Sequence, residues 1–254
     1  MTKIFIFPHQ DDEFGIFYLL KLAIQTSEKI YCIFLTKSPK GDVQTTLRNT
    51  ESKDVLNRLG VPDESILFLG NSLEIVDGLL VDKMSVLASW VSTFLINTPQ
   101  ISDIYVPAWE GGHPDHDATN VVILHVVKAL GKKIRLWQYP LYNGKDCWGK
   151  MFSVLKSLPE NGGRHEHRIP WSMRIEFLIL CMRYRSQWKS WVGLWLPVAY
   201  KYLTSGEQSI QELISRKFDR PPHAGILYYE RRKFSTWVNV KNKIELFTST
   251  WRYK

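Results

Sequence analysis

The chain has 254 residues, of which 44% are hydrophobic and 23% are charged, an ordinary globular composition that excludes a disordered or fibrous protein. Its three cysteines form no CxxC pair, which excludes a disulfide scaffold and is typical of a reducing compartment. The net charge of +8 leaves nucleic acid, an anionic membrane surface or a phosphate-bearing substrate open as partners, beside a plain basic surface. No nucleic-acid-binding motif is present, so we expect no nucleic-acid partner.

The apolar stretches are short. No run approaches the roughly 20 apolar residues that a membrane-spanning helix needs. The apolar stretch at 4–7 is also shorter than the roughly 7–15 residues of a signal-peptide core. We therefore expect a cytoplasmic protein, with the inner face of the membrane as a narrower alternative.

Strands and helices alternate along the first half of the chain. Short apolar runs predict strands at 4–7, 31–36, 66–69, 103–107 and 134–138, and helical periodicity predicts helices at 12–24, 45–59, 76–96 and 117–130. Strands that are separated by helices pair in parallel through right-handed crossovers. We therefore predict the α/β class, with an open, mostly parallel, Rossmann-like sheet and helices on both faces.

The pattern weakens in the second half of the chain. Loop signals such as Asn161-Gly162-Gly163 and Pro221-Pro222 flank predicted helices at 171–185 and 207–217. We interpret residues 1–254 as one domain, in which the part from about 142 to 254 is less regular.

Two polar clusters follow predicted strands. His9-Gln10-Asp11-Asp12 comes directly after the first strand, and a GGHPDHD run at 111–117 follows the fourth. In open α/β sheets, ligands bind beyond the carboxyl ends of the strands. A single cluster of this kind is usually a surface turn or a helix cap, but two of them at neighbouring strand ends favour a metal site.

The clusters contain the ligand types that zinc prefers where thiolates are absent, namely imidazole and carboxylate. His9 and Asp12 are three residues apart in a strand-to-helix turn, so their side chains can converge on one ion. The second cluster offers His113 and His116 as a third ligand. Three protein ligands would leave one position of a catalytic zinc site open.

Two further residues are candidates for the chemistry. Asp11 is adjacent to a candidate ligand and can serve as the general base toward an attacking water. His113 can stabilise an oxyanion or protonate a leaving amine, with Asp115 or Asp117 orienting its ring.

Both clusters resemble the signature motifs of the PIG-L/LmbE-like family of metal-dependent N-acetylglucosaminyl deacetylases. The motifs stand here as Pro8-His9-Gln10-Asp11-Asp12-Glu13 and His113-Pro114-Asp115-His116-Asp117. The similarity extends to Arg48-x-x-Glu51 before Leu59-Gly60, and to Tyr184-x-Ser186-Gln187. The first motif departs from the family at Gln10, where proline is usual, so we expect a change in loop rigidity rather than in chemistry.

The resemblance implies a role for each motif residue. It implies that the zinc ligands are His9, Asp12 and His116. It also implies that Asp11 is the base, that His113 assists at the oxyanion or leaving group, that Arg48 contacts the substrate and that Gln187 lines the pocket. For Arg48 the alternative is a salt bridge with Glu51 on the helix surface.

The function implied by the resemblance is removal of the acetyl group from an N-acetylamino sugar of the N-acetylglucosamine type. The carrier of the sugar is open, and our working hypothesis is a lipid-linked or nucleotide-linked sugar of an envelope-polysaccharide pathway. One alternative is a glycosyltransferase in which Asp11 and Asp12 bind Mn²⁺ or Mg²⁺. The other is a non-catalytic module that keeps the fold. The sequence makes no prediction of the oligomeric state.

Three segments outside the motifs carry candidate functional residues. The segment 188–202, rich in Trp and Tyr beside lysines, indicates either a peripheral membrane contact or, as we favour, core and pocket lining. His165-Glu166-His167 indicates either a second metal site or, as we favour, a solvated rim of the active site. His223 indicates either a pocket residue or, as we favour, a structural residue, and we interpret His125 as a packed or surface side chain.

Overall fold

The computed structural model of the chain describes residues 1–26, 28–214 and 218–253. The described strands are β1 (Thr2–Phe7), β2 (Lys29–Phe34), β3 (Ile66–Phe68), β4 (Ile101–Pro107), β5 (Arg135–Tyr139), β6 (Tyr142–Asn143), β7 (Ser153–Val154), β8 (Arg164–Arg168) and β9 (Glu207–Glu212). The α-helices are α1 (Phe17–Gln25), α2 (Asp42–Leu59), α3 (Met84–Asn97), α4 (Pro114–Ala129), α5 (Trp171–Cys181), α6 (Trp188–Thr204), α7 (Tyr228–Arg231) and α8 (Trp237–Thr250).

Seven of these strands form one sheet in the order β3-β2-β1-β4-β5-β9-β8. The strands from β3 to β5 pair in parallel. At the far edge β9 pairs antiparallel with β5, and β8 pairs antiparallel with β9. This mixed, mostly parallel sheet confirms the predicted fold class.

The central strands are buried on both sides, as parallel strands usually are. Successive side chains of β1 point to opposite faces, so Phe5 and Phe7 pack with α1, α2, α5 and α6. Ile4 and Ile6 pack on the other face with α3, α4 and α8. Helices therefore cover both faces of the sheet.

Two predicted elements of the sequence analysis are wrong. The helix predicted at 76–96 begins only at Met84, because the preceding residues form a loop that bonds to the end of β2 through Lys37 and Val76. The helix predicted at 207–217 is a strand over 207–212, since pairing with β5 and β8 outweighs local periodicity; the end of that prediction, 215–217, lies outside the described residues. Among the described helices, none is long and apolar enough to cross a membrane.

Candidate metal centre

The two motifs meet at one edge of the sheet. The strand order reverses direction between β1 and β4, which are neighbours, and the first motif follows β1 while the second follows β4. The carboxyl ends of strands at such a switch point form a crevice in open α/β sheets. The chain folds there into a 3-10 helix at Asp12–Gly15 after β1, and into α4 with His113 as its N-cap after β4.

Three side chains from these two segments meet in a small triangle. His9 Nδ1 lies 3.2 Å from Asp12 Oδ2, and His116 Nε2 lies 3.2 Å from Asp12 Oδ1. The two imidazole nitrogens are 3.3 Å apart. All three residues are buried, so the donor atoms converge away from bulk solvent.

The triangle has the dimensions of a zinc site. Zinc bonds to imidazole nitrogen and carboxylate oxygen at about 2.0–2.2 Å, so donors in a tetrahedral site lie about 3.3–3.6 Å apart. The observed separations of 3.2–3.3 Å, which involve both oxygens of Asp12, lie at the short end of that range. The donor set of two imidazoles and one carboxylate therefore fits a divalent metal.

The charges around the triangle also favour a cation. Burial alone would raise the pKa of Asp12, but the imidazoles of His116 and His9 outweigh burial and hold the pKa far below its usual range. Burial alone would lower the pKa of His9, but the carboxylates of Asp77, Asp12 and Asp115 raise it well above its usual range. The carboxylates that stabilise a protonated imidazole would equally stabilise a metal ion.

The second nitrogen of His9 is held by carboxylates on the other side of its ring. His9 Nε2 lies 3.1 Å from Asp115 Oδ2 and 3.3 Å from Asp77 Oδ1. If Nε2 carries the proton and donates to Asp115, then Nδ1 is free to bind a metal, an arrangement common among metal-binding histidines.

Asp115 also fixes the loop before α3. Its carboxylate accepts hydrogen bonds from the backbone N–H of Gly78 at 2.7 Å and of Leu80 at 3.1 Å. We predicted that Asp115 or Asp117 orients His113. The carboxylate of Asp115 instead contacts His9 and this loop, and that of Asp117 accepts from the N–H of Glu110 and Gly111.

Asp11 occupies a strained backbone position beside the triangle. Its φ of 104° lies in the left-handed region, which is costly for a residue with a Cβ. The carboxylate of the buried Glu13 accepts the Asp11 N–H at 2.9 Å, and the indole N–H of Trp191 donates to Asp11 Oδ2 at 3.0 Å. Both the backbone and the carboxylate of Asp11 are thus held in place.

The surroundings of Asp11 favour a general base. Burial raises the pKa of its carboxyl well above the usual range, and the carboxylates of Asp12 and Glu13 raise it further. A raised pKa increases the proton affinity of a carboxylate that acts as a base.

His113 lies beside the triangle in a neutral form. Burial, together with the neighbouring His9, lowers the pKa of its ring to about 4. The backbone N–H of Asp115 donates to His113 Nδ1 at 3.3 Å, so the single proton of the neutral ring belongs on Nε2. His113 can therefore donate a hydrogen bond to a substrate oxygen. One of its nitrogens also lies within 4.8 Å of nitrogens of His9 and His116, which makes His113 an alternative ligand.

A cavity of about 460 Å³ opens over the centre. Its wall includes the motif residues His9, Asp11, Asp12 and His113, the polar residues Arg48, Asp77, Gln187 and Arg232, and the aromatic residues Phe14, Tyr142, Phe152, Tyr228 and Phe234. Every predicted site residue except the fully buried Asp115 and His116 lies on this wall. Both of those lie behind it, in contact with His9.

Arg48 lines the cavity, and it pairs there with a residue that we did not predict. Its guanidinium donates to Asp77 Oδ2 at 2.9 Å. The alternative pairing with Glu51 is wrong, because the carboxylate of Glu51 accepts from the N–H and hydroxyl of Ser186. That contact places Gln187, whose amide donates to the backbone carbonyl of Gln10.

The unusual Gln10 ties the first motif to its neighbours. Its amide donates to the carbonyl of Thr36 at 3.0 Å and to the side chain of Asn49 at 2.7 Å. These bonds from the end of β2 and from α2 provide a restraint that a proline ring would otherwise supply.

The residues outside the motifs divide between core and surface. Trp191 and Tyr202 are buried, whereas Trp188 and Tyr200 are mostly exposed, so the segment 188–202 is only partly core. His165 and His167 lie on the edge strand β8, and among the described residues neither belongs to a cluster able to hold a metal or to the wall of the cavity. His125 packs against Phe247 and Trp251.

Four residues that hold the site were missed by the sequence analysis: Glu13, Asp77, Glu110 and Trp191. Glu110 is fully buried and accepts from the N–H of Leu141 and Tyr142, which joins the loop after β4 to the segment after β5. Glu13 had a sequence signal, because it directly follows two acidic residues in the first motif. Asp77 was hidden within the helix wrongly predicted at 76–96.

Comparison with solved structures agrees with this fold. The chain is similar to the zinc-inhibited form of the teicoplanin deacetylase Orf2 at 15% identity and a TM-score of 0.62, over 84% of this chain and 97% of that one. It is also similar to the N,N'-diacetylchitobiose deacetylase from Pyrococcus horikoshii at 15% identity and a TM-score of 0.56, over 83% of each chain. A conserved protein from Thermus thermophilus matches at 17% identity and a TM-score of 0.58, over 85% of this chain and 95% of that one. At these identities the likeness shows a shared fold.

Of the two comparisons at the sequence level, one finds a match. No curated protein matches the chain. The sequence model of the PIG-L family, described as GlcNAc-PI de-N-acetylase, matches residues 4–127. This segment contains both motifs and all three residues of the triangle, so the chain is similar to the PIG-L family over the part that carries the site.

Proposed function

We propose that this protein is a zinc-dependent hydrolase that removes the acetyl group from an N-acetylamino sugar. The observation that carries the proposal is the triangle of His9, Asp12 and His116, whose donor atoms are 3.2–3.3 Å apart at the base of a cavity. The similarity of residues 4–127 to a de-N-acetylase family model supports the proposal.

The residues around the triangle can perform the hydrolysis of an acetamide. A zinc ion held by the three donors would supply Lewis-acid chemistry, which favours negative charge on a neighbouring oxygen. Asp11 takes a proton from the attacking water, and that proton is available for the nitrogen when the C–N bond breaks. His113 donates a hydrogen bond from Nε2 to the oxygen on which negative charge develops. The products are acetate and a free amine.

The cavity wall supports a sugar as the substrate. The wall combines polar groups of Arg48, Asp77 and Gln187 with the rings of Tyr142 and Tyr228. A sugar offers hydroxyls to the polar groups and apolar C–H faces to the rings. We propose an N-acetylglucosamine-type conjugate, linked to a lipid or a nucleotide in glycan or envelope-polysaccharide synthesis. Two structural neighbours are named a teicoplanin deacetylase and an N,N'-diacetylchitobiose deacetylase.

The donor set argues against the glycosyltransferase alternative. Mn²⁺ and Mg²⁺ in such enzymes prefer oxygen ligands, whereas two of the three converging donors here are imidazole nitrogens. The alternative also assigns metal binding to both Asp11 and Asp12. The carboxylate of Asp11 instead accepts from Trp191 and lines the cavity.

The test is acetate release from a panel of N-acetylhexosamine conjugates, with bound metal quantified in the same preparations. Asp11→Asn is expected to retain zinc and lose turnover by about 10²–10⁴-fold, because the base is lost while the triangle stays. His116→Ala is expected to lose both zinc and turnover. A wild-type rate in Asp11→Asn would show that Asp11 is not the base, and a requirement for Mn²⁺ and a nucleotide sugar would support the transferase instead.

A further inference from the structure

Helices α5 and α6 expose large apolar side chains in two continuous stripes. On α5 and the residue after it, Trp171, Ile175, Ile179 and Met182 are 48–59% exposed. On α6 the stripe consists of Trp188, Val192, Leu196, Tyr200 and Leu203, which are 45–71% exposed. The spacing of mostly four residues places the members of each stripe on one side of their helix.

The two stripes form one surface, which we call the α5–α6 face. The helices pack against each other and bury their opposite sides on the sheet, where Phe177, Trp191 and Val198 belong to the core. Nine of the twenty-three large apolar side chains that are exposed in the described part of the chain lie on this face. Single exposed apolar residues are ordinary, but a contiguous set indicates an interaction surface.

The basic residues around the α5–α6 face favour an anionic partner. From 169 to 206 the sequence has five basic residues and one acidic residue. Of these, Arg174 is buried, Arg183 pairs with Asp54 at 3.6 Å and Glu176 pairs with Lys21 at 2.6 Å. The basic side chains that this surface presents are therefore Arg185, Lys189 and the partly buried Lys201. Arg185 and Lys189 are exposed between the two stripes and at the start of α6. An apolar surface that contains Trp and Tyr and is bordered by Lys and Arg is typical of a helix pair lying in the interface of an anionic bilayer.

The position of the face relative to the cavity agrees with this partner. Gln187, Lys189, Ser190, Gly193 and Leu194 of the same helix region line the cavity, while the exposed stripe of α6 lies on a different side of that helix. A protein resting on a bilayer through the α5–α6 face would thus hold the wall of its cavity close to the membrane surface.

We infer that the α5–α6 face is a docking surface for an anionic lipid bilayer, on which the protein lies without spanning it. Apolar side chains enter the boundary between headgroups and acyl chains, and the basic residues contact the anionic headgroups. Because the second contribution is electrostatic, binding weakens as the salt concentration rises.

The experiment is co-flotation of the full chain with vesicles of phosphatidylcholine alone and with added phosphatidylglycerol, at low and high salt and without substrate. The test variant is Val192→Glu/Leu196→Glu on the face, where both side chains are 69% exposed. The matched control is Val238→Glu/Leu246→Glu on α8, where the side chains are 65% and 59% exposed on the opposite side of the sheet. Thermal unfolding verifies that both variants fold.

The wild type and the α8 control are expected to float with the anionic vesicles, and the α6 variant to lose at least about tenfold in binding. Acetate release from a water-soluble conjugate is expected to stay at the wild-type level in the α6 variant, so a failure of the deacetylase assignment is seen separately from a failure of docking. Absence of wild-type flotation, or equal loss in both variants, would overturn the inference. A wild-type dimer that becomes monomeric in the α6 variant by sedimentation would assign the face to a second copy instead.

Discussion

At the scale of single residues, Asp115 is expected to support the proposed metal centre without binding the metal itself. Its carboxylate holds His9 Nε2 and the N–H groups of Gly78 and Leu80, so it fixes both the ring that offers Nδ1 and the loop above it. Asp115→Asn is expected to weaken zinc binding about 10–100-fold, because an amide in place of one oxygen removes an acceptor. Competition with a chromogenic chelator measures this affinity.

A suitable control for that variant is Asp103→Asn. Asp103 is also buried, but it pairs with Arg135 and Trp137 away from the cavity. Equal zinc affinity in Asp115→Asn and the wild type would show that His9 is oriented without this carboxylate.

Trp191 is the second residue whose role lies in positioning. Its indole N–H donates a hydrogen bond to the carboxylate of Asp11, and its ring packs on Phe14 and Tyr184. Trp191→Phe keeps most of the packing and removes the donor, so kcat for acetate release is expected to fall roughly tenfold, in line with the loss of a hydrogen bond to a charged group.

A positioning role is distinguished from a folding role by a fall in kcat without a change in KM. KM, zinc content and Tm are expected to stay near wild type in Trp191→Phe. The control is Trp137→Phe, which removes an indole bond to Asp103 of 2.9 Å outside the cavity and is expected to leave kcat unchanged. Equal effects of the two substitutions on kcat would refute the role of Trp191.

At the scale of elements, Glu110 links two segments that line the site. Burial raises the pKa of its carboxyl to about 7 from the ordinary value of 4.5, and both oxygens accept bonds from residues 141–143. Between pH 4.5 and 7 the folded protein keeps a proton that the unfolded chain has released, so the free energy of unfolding falls as the pH rises through this window.

Glu110→Gln is expected to remove this contribution, which amounts to at most about 3 kcal/mol. Urea unfolding at pH 5 and pH 8 measures it, as the difference in pH dependence between the variant and the wild type. The variant is expected to lose less stability than the wild type between these two pH values. Parallel pH profiles would mean that Glu110 titrates normally in the folded protein.

The loop between β3 and α3 shows why some elements escape sequence-based prediction. Residues 76–83 continue the apolar periodicity of α3, which is a local signal, but their conformation is set by non-local bonds to Asp115 and to the end of β2. The strand at 207–212 is a second example, because its partners β5 and β8 lie about 40 to 70 residues earlier in the chain.

For the whole molecule, the parallel core could be predicted because short apolar runs alternate with periodic helices and admit few topologies. The motif residues could be predicted because their types and their places at strand ends indicate chemistry without coordinates. The side chains that hold the motif residues in place could not be predicted. Trp191, for example, follows Asp11 by 180 residues, and the sequence of neither segment indicates their contact. The α5–α6 face likewise required the structure, which separates buried from exposed aromatic residues within one segment.

Anomalous diffraction from crystals grown with zinc tests the central claim most directly. The account predicts one strong peak at the carboxyl ends of β1 and β4, bonded to His9 Nδ1, Asp12 and His116 Nε2 at about 2.0–2.2 Å, with His113 and Asp11 facing it unbonded. An ion bonded to His113 in place of Asp12, or the absence of any ion at this position, would contradict it.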